Sequence, residues 1–118
     1  MAMRSLIARL TDIVEAIELI RNEIAGITLQ GVESDRRKRW LVERGIEIIS
    51  EASRHLSDEL KARHPKIPWS KVAGIGNVLR HEYERVAHDV LWRVVHADLP
   101  PLENACREEL ARERAAEN

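Results

Sequence analysis

Phenylalanine is absent from this chain and tyrosine occurs once; with three tryptophans, aromatic residues fill only 3% of the 118 positions. The core must therefore be aliphatic, built from Leu, Ile, Val and Ala, and a platform of stacked rings for single-stranded RNA is not expected. Cys106 is the only cysteine, which excludes an intrachain disulfide and suits a reducing, cytoplasmic setting. Nothing marks it as a nucleophile. No apolar run approaches membrane-spanning length, and Arg9, Asp12 and Glu15 interrupt any signal-peptide core, so neither export nor membrane insertion is expected. An excess of one charge is lacking too. With 19 basic and 20 acidic residues the net charge is −1, so any nucleic-acid site must be local rather than spread over the surface.

What is present is 44% apolar and 33% charged residues, which suits one soluble helical domain over residues 1–118. Leu6, Leu10, Ile13, Ile17, Ile20 and Ile24 step by three and four, predicting a helix over about 3–25 that stops at Gly26. A short loop holding Gly31 follows. Leu41, Gly45, Ile48, Ala52 and Leu56 form one stripe of a second helix over about 34–63. Val42, Ile46, Ile49, Ser53 and Leu60 widen it beyond what one partner helix needs, a breadth that suits dimer packing. His64-Pro65 and Ile67-Pro68 stop that helix, and Trp69 or Ser70 opens the next. Val86–Ala97 reads as a fourth helix, Asp98–Pro101 as a turn, Leu102 to about Glu113 as a last helix, and 112–118 as a charged frayed tail. No period-two alternation occurs, so an all-α up-and-down bundle of four to five helices is predicted.

Gly74-Ile-Gly-Asn-Val-Leu-Arg-His-Glu-Tyr83 concentrates the chemistry. On a helix, Asn77 and His81 share a face, Gly76, Arg80 and Tyr83 fall on the adjoining one, and Val72, Ile75, Val78 and Leu79 form an apolar stripe. Histidine exchanges a proton near neutral pH and a nearby guanidinium can hold a phosphoryl group, so phosphodiester chemistry without a metal is the functional reading. The bland alternative is a polar edge of capping and interface residues. The basic cluster Arg36, Arg37, Lys38 and Arg39, with Arg44, Arg80 and Arg85, is the candidate phosphate-binding patch, or else a solvated helix start.

Other patterns carry little. Gly74-x-Gly76 has no third glycine at 79 and no preceding strand, so it is not a dinucleotide loop. His81 and His88 lack any recognised zinc spacing, His55, His64 and His96 are scattered, and Glu47 and Glu51 opposite Arg44 and Arg54 read as a salt-bridged surface. No cofactor or metal is expected.

From about Leu6 to Leu102 the chain resembles the HepT-type toxins of the HEPN (higher eukaryotes and prokaryotes nucleotide-binding) superfamily, bacterial partners of MNT-type nucleotidyltransferase antitoxins. The resemblance rests on the first helix, Arg39–Ser53, His64–Trp69, Gly74–Tyr83, and Trp92 with Asp98–Leu102. It implies a HEPN-like fold, a homodimer, and a metal-independent endoribonuclease of a toxin–antitoxin system. In the family an Arg directly precedes the Asn, the His follows four residues later and the Tyr two after that.

Asn77, His81 and Tyr83 match, but Gly76 stands where the family has the arginine. A glycine inside a helix costs about 1 kcal/mol relative to alanine and offers phosphate no donor. Either Arg80 supplies the guanidinium or the protein is weakened or silent. Silence ranks higher, because one turn displaces the group by about 5 Å and catalysis tolerates far less. With the arginine function present, the resemblance implies His81 as general acid or base, one from each subunit in a shared cleft. Asn77 would bind phosphate or orient His81, or simply tie helix ends. Arg85, Arg36 and Lys38 are the candidate substrate contacts. Tyr83 is implied as the residue the partner AMPylates, blocking the cleft with an anion; its alternative role is a dimer anchor. Enzyme and non-catalytic binding module both remain open.

Overall fold

A computed structural model of the chain describes residues 5–81 and 85–117. Among the described residues there is helix and no strand, as the absence of period two predicts. The elements are α1 (Leu6–Ile24), α2 (Leu29–Glu33), α3 (Arg36–Arg54), α4 (Asp58–Ala62), α5 (Trp69–His81), α6 (Arg85–Arg93), a π-helical turn Val94–Asp98, and α7 (Leu99–Glu117).

The Ser5 hydroxyl caps α1 by accepting from the Ala8 amide at 3.1 Å. Leu10, Ile13, Val14, Ile17, Ile20 and Ile24 bury one face, and the chain turns away through Gly26 at φ +74°, a conformation glycine alone adopts cheaply. Residues 27–33 are not simply a loop. Thr28 accepts from the Gly31 amide at 3.0 Å and starts the one-turn helix α2, so the expected loop around Gly31 is corrected to helix.

The expected single helix over 34–63 is corrected as well. It begins at Arg36 because the Asp35 carboxylate accepts from the Arg37 and Lys38 amides, and it ends at Arg54. Leu56 then dives into the core, and the Ser57 hydroxyl recaps α4 by accepting from Leu60 at 3.1 Å. A helix continuing through 57 would leave that cap unused and Leu60 without the new helix start that seats it in the core. The wide apolar stripe of α3 is used within one chain: α1 packs on one side of it and α5 on the other.

A third correction concerns the C-terminal third. Helix replaces the turn expected at 98–101. The helix runs through a widened turn, with the Leu99 amide bonding the Val94 carbonyl five residues back, into α7, which continues to Glu117. Pro100 and Pro101 explain the widening. A regular α-helix would drive each ring into the carbonyl four residues earlier, and the π turn displaces those carbonyls.

The core is aliphatic. Leu10, Ile13, Ile20, Ile46, Ile49, Leu60, Leu99 and Leu102 are fully enclosed, each contributing about 2 kcal/mol of burial. Two buried carboxylates pin α7. Glu109 accepts from Arg63 at 2.6 and 3.2 Å and from His64 Nε2 at 2.7 Å; Glu103 accepts from Arg21 of α1 and from Arg107, which also pairs with Glu18. The Arg63 hydrogen bonds, with help from His64, hold the Glu109 carboxyl below its ordinary range against the opposing effect of burial. Burial would raise Glu103, but Arg21 and Arg107 overcome it and leave it lowered. Cys106 lies between them on the same helix, buried, its thiol pushed up to about 12 by desolvation and by Glu109.

Candidate functional site

Helix α5 carries the chemistry-bearing segment, and its start and its middle are fixed by particular contacts. At its start the Trp69 indole N–H donates to the Lys61 and His64 carbonyls at 3.2 and 3.0 Å. Lys71 reaches Asp98 at 3.0 Å, tying α5 to the π turn. Val72 and Ile75 are buried, Val78 and Leu79 pack half-buried against the core, and Gly76 is buried with them. The apolar stripe therefore faces inward as predicted.

In the middle of α5, two side chains of α3 grip the backbone. The Ser50 hydroxyl donates to the Ala73 carbonyl at 2.7 Å, Arg54 Nε donates to the same oxygen at 3.2 Å, and Arg54 Nη2 donates to Ser50 Oγ at 3.3 Å. With Trp69 held just beyond the end of α3, these contacts make α5 run back along α3. Residues 77–81 are thus carried toward the first turns of α3.

Asn77 is exposed, on the side of α5 away from Val72 and Ile75. His81 follows one turn later at the last helical position, so the helical register places both on one face. Arg80, one turn beyond Gly76, falls on the adjoining face, and Arg85 opens α6. For residues 80, 81 and 85 the description is of helical backbone, and Tyr83 lies outside the described residues.

The basic cluster separates into residues with different surroundings. Arg36 and Arg37 are exposed. Lys38 is occupied: its ammonium binds the Glu23 carboxylate at 3.0 Å and the Glu23 carbonyl at 3.3 Å. Arg39 is half-buried beside Trp92 and Leu91 at a small apolar cleft. Arg44–Glu47 at 3.7 Å and Arg54–Glu51 at 3.6 Å form the salt-bridged surface read from the sequence. Among the described residues no group of three or more His, Cys, Asp or Glu side chains stands together as a metal-ligand set, and no helix is long and apolar enough to cross a membrane.

Sequence reasoning missed the Ser50–Arg54 grip and the outward position of Trp40. Two serines, Ser50 and Ser53, on the buried stripe of α3 were the available signal for the first, since a buried hydroxyl requires a partner. For the second, the spacing of Trp40 with Arg36 and Arg44 was a hint, but which face of α3 meets α1 decides it.

The family described as Ribonuclease HepT-like matches the chain over residues 13–109. A Thermococcus cleftensis protein named "Probable ribonuclease HepT" is 40% identical over 93 residues, 79% of this chain and 84% of the relative. Proteins of Methanocaldococcus jannaschii and Caldanaerobacter subterraneus subsp. tengcongensis, each named a "Putative RNase", are each 30% identical, covering 86% and 89% of this chain and 94% of each relative. No solved structure matches it. With an aliphatic all-α fold, the Asn77–His81 face on α5 and a match across most of its length, the chain belongs to the HepT-like ribonuclease family.

Proposed function

We propose that this protein is the ribonuclease toxin of a toxin–antitoxin pair, a metal-independent endoribonuclease acting in a cleft between two copies of α5. The observation that carries the reading is the family match over residues 13–109, which spans α5 with Asn77 and His81 at their helical spacing. His81 of one subunit takes the ribose 2′-hydroxyl proton while the second subunit's copy protonates the leaving 5′-oxygen. Asn77 and nearby guanidinium groups, Arg80 and Arg85 among them, hold the phosphate as charge builds on it. A nucleotidyltransferase antitoxin silences the cleft by placing AMP on Tyr83, whose added anion repels RNA phosphate.

Gly76 sets the level of activity. It offers no donor where the family resemblance calls for an arginine, so cleavage is weak or absent in this chain. The same buried glycine favours a second reading, a non-catalytic dimerising module that engages the nucleotidyltransferase. Cleavage of structured and single-stranded RNA in EDTA separates the two. The enzyme reading expects cutting by the Gly76→Arg protein that disappears on adding His81→Ala; a Gly76→Arg protein that never cuts RNA leaves the binding module.

A further inference from the structure

Among the described residues, one large aromatic side chain turns into solvent, on the outward ridge of α3. Trp40 is 62% exposed, unusual for a residue that normally contributes most of its area to a core. The other two tryptophans have structural employment. Trp69 is hydrogen-bonded through its indole, and Trp92 packs against the core with its ring centroid 4.2 Å from that of His96. Trp40 has neither: among the described residues its indole N–H has no protein acceptor, and its ring meets the Arg36 guanidinium at 5.8 Å.

Arg36, Trp40 and Arg44 lie at successive turns on one face, with Arg37 beside them. Arg44 is 72% exposed, and its partner Glu47, at 3.7 Å along the same helix, neutralises it weakly. Lys38 is held by Glu23 and Arg39 lies half-buried at the cleft beside Trp92, so the ridge itself presents three arginines and one indole. Its remaining apolar neighbours, Leu41 and Ile48, are half-buried. A protein-docking surface would gather several exposed apolar side chains into a continuous patch, and this ridge exposes one. A lone ring among guanidinium groups instead has the composition of a single-stranded nucleic-acid contact.

We infer that this ridge binds single-stranded RNA, with one base stacked on Trp40 and the flanking phosphates held by Arg36, Arg37 and Arg44. The inference rests on the ribonuclease reading for its choice of polymer. It deepens that reading by giving the substrate a second contact, on the helix along which α5 runs back toward these same turns. The aromatic poverty of the chain as a whole does not prevent this, because one exposed ring suffices for one base.

The test is binding of a fluorescently labelled oligouridylate of about 12 nucleotides, against a duplex of equal length, by anisotropy in EDTA. Trp40→Ala should weaken the single-stranded complex about tenfold while barely changing the duplex, and Trp40→Phe should recover most of the loss. Arg37→Gln should weaken both and flatten the salt dependence by about one unit of slope. Trp40 is exposed, so circular dichroism should show unchanged helicity in its variants. Equal single-stranded affinity in Trp40→Ala overturns the proposal. So does a change from dimer to monomer in light scattering, which would give the ridge to a second copy of the chain. Cleavage of the same oligonucleotide in the Gly76→Arg background keeps the two claims apart. Cutting with Trp40 irrelevant sinks the ridge alone, binding that depends on Trp40 without any cutting sinks the ribonuclease reading alone, and no binding sinks the ridge whatever the cleavage.

Discussion

The Ser50 hydroxyl donates at 2.7 Å to the carbonyl of Ala73, a residue on a different helix and in the middle of it. In the helix ladder that carbonyl is also the acceptor for the Asn77 amide. Arg54 adds a third donor. The contact therefore fixes the height and rotation of α5 on α3 at the turn that presents Asn77.

Replacing Ser50 with alanine should cost about 1–2 kcal/mol, the usual penalty for removing a buried hydrogen-bonding group. Urea unfolding measures the loss. Hydrogen exchange should speed up first at the Asn77 amide, and protection there equal to the natural chain's would show that the grip does not hold the motif turn.

Two glycines should respond oppositely to alanine. A Cβ on Gly45 would lie 2.7 and 2.9 Å from Ile20 Cδ1 and Cγ1, and Ile20 is wholly enclosed with little room to yield. Gly45→Ala should destabilise by about 1–2 kcal/mol. A Cβ on Gly74 meets nothing within 4 Å, so Gly74→Ala should stabilise by about 0.5–1 kcal/mol through helix propensity and a less flexible unfolded chain. Paired thermal melts check both signs.

Acid should loosen α7. Glu103 and Glu109 have folded-state values below the ordinary 4.5, so each contributes stability that is present above about 4.5 and lost as pH falls through the depressed folded value. Melting temperature should be flat near neutrality and drop below about pH 4.5. Glu109→Gln should remove part of that acid dependence and lower stability by about 1–3 kcal/mol, since Arg63 loses its counter-charge. An unchanged acid limb in Glu109→Gln would show the carboxylate is not responsible.

Restoring the arginine should restore chemistry. Gly76→Arg should raise RNA cleavage in EDTA by about 100-fold or more, the scale on which one oriented donor to a developing oxyanion acts. Because Gly76 is buried beside Val72 and Ile75, the same change should also lower the melting temperature. Single-turnover cleavage and a thermal melt on one preparation read both effects.

Coexpression with a nucleotidyltransferase partner should add adenylyl groups detectable by intact mass. Tyr83→Phe should accept none. Adenylylation that persists in Tyr83→Phe would move the modification elsewhere.

Much of the fold was legible because it rests on local pattern. The three-and-four spacing from Leu10 to Ile24 fixed the inward face of α1, and the Pro65 and Pro68 pair correctly separated α5 from what precedes it. The misreadings share a physical cause. The break at His55–Ser57 depends on a serine that can cap or continue a helix, and the apolar spacing of Ala52, Leu56 and Leu60 suits either choice. Pro100 and Pro101 normally end a helix; here a π turn absorbs them, and that choice is made by the packing of Val94, Val95 and Leu99. At the candidate site, spacing gave the shared face of Asn77 and His81. It could not show that Lys38 is held by Glu23 or that Trp40 faces solvent, because both depend on how α1 crosses α3.

Cys106 gives the molecule an internal reporter. A thiol enclosed by the core and held at about 12 has almost no thiolate at neutral pH, so alkylating reagents and mild oxidants should find it only when α7 lifts away from α1. The rate of labelling would then count openings of the whole bundle, and a chain handled without reductant should stay free of disulfide-linked pairs for as long as it stays folded.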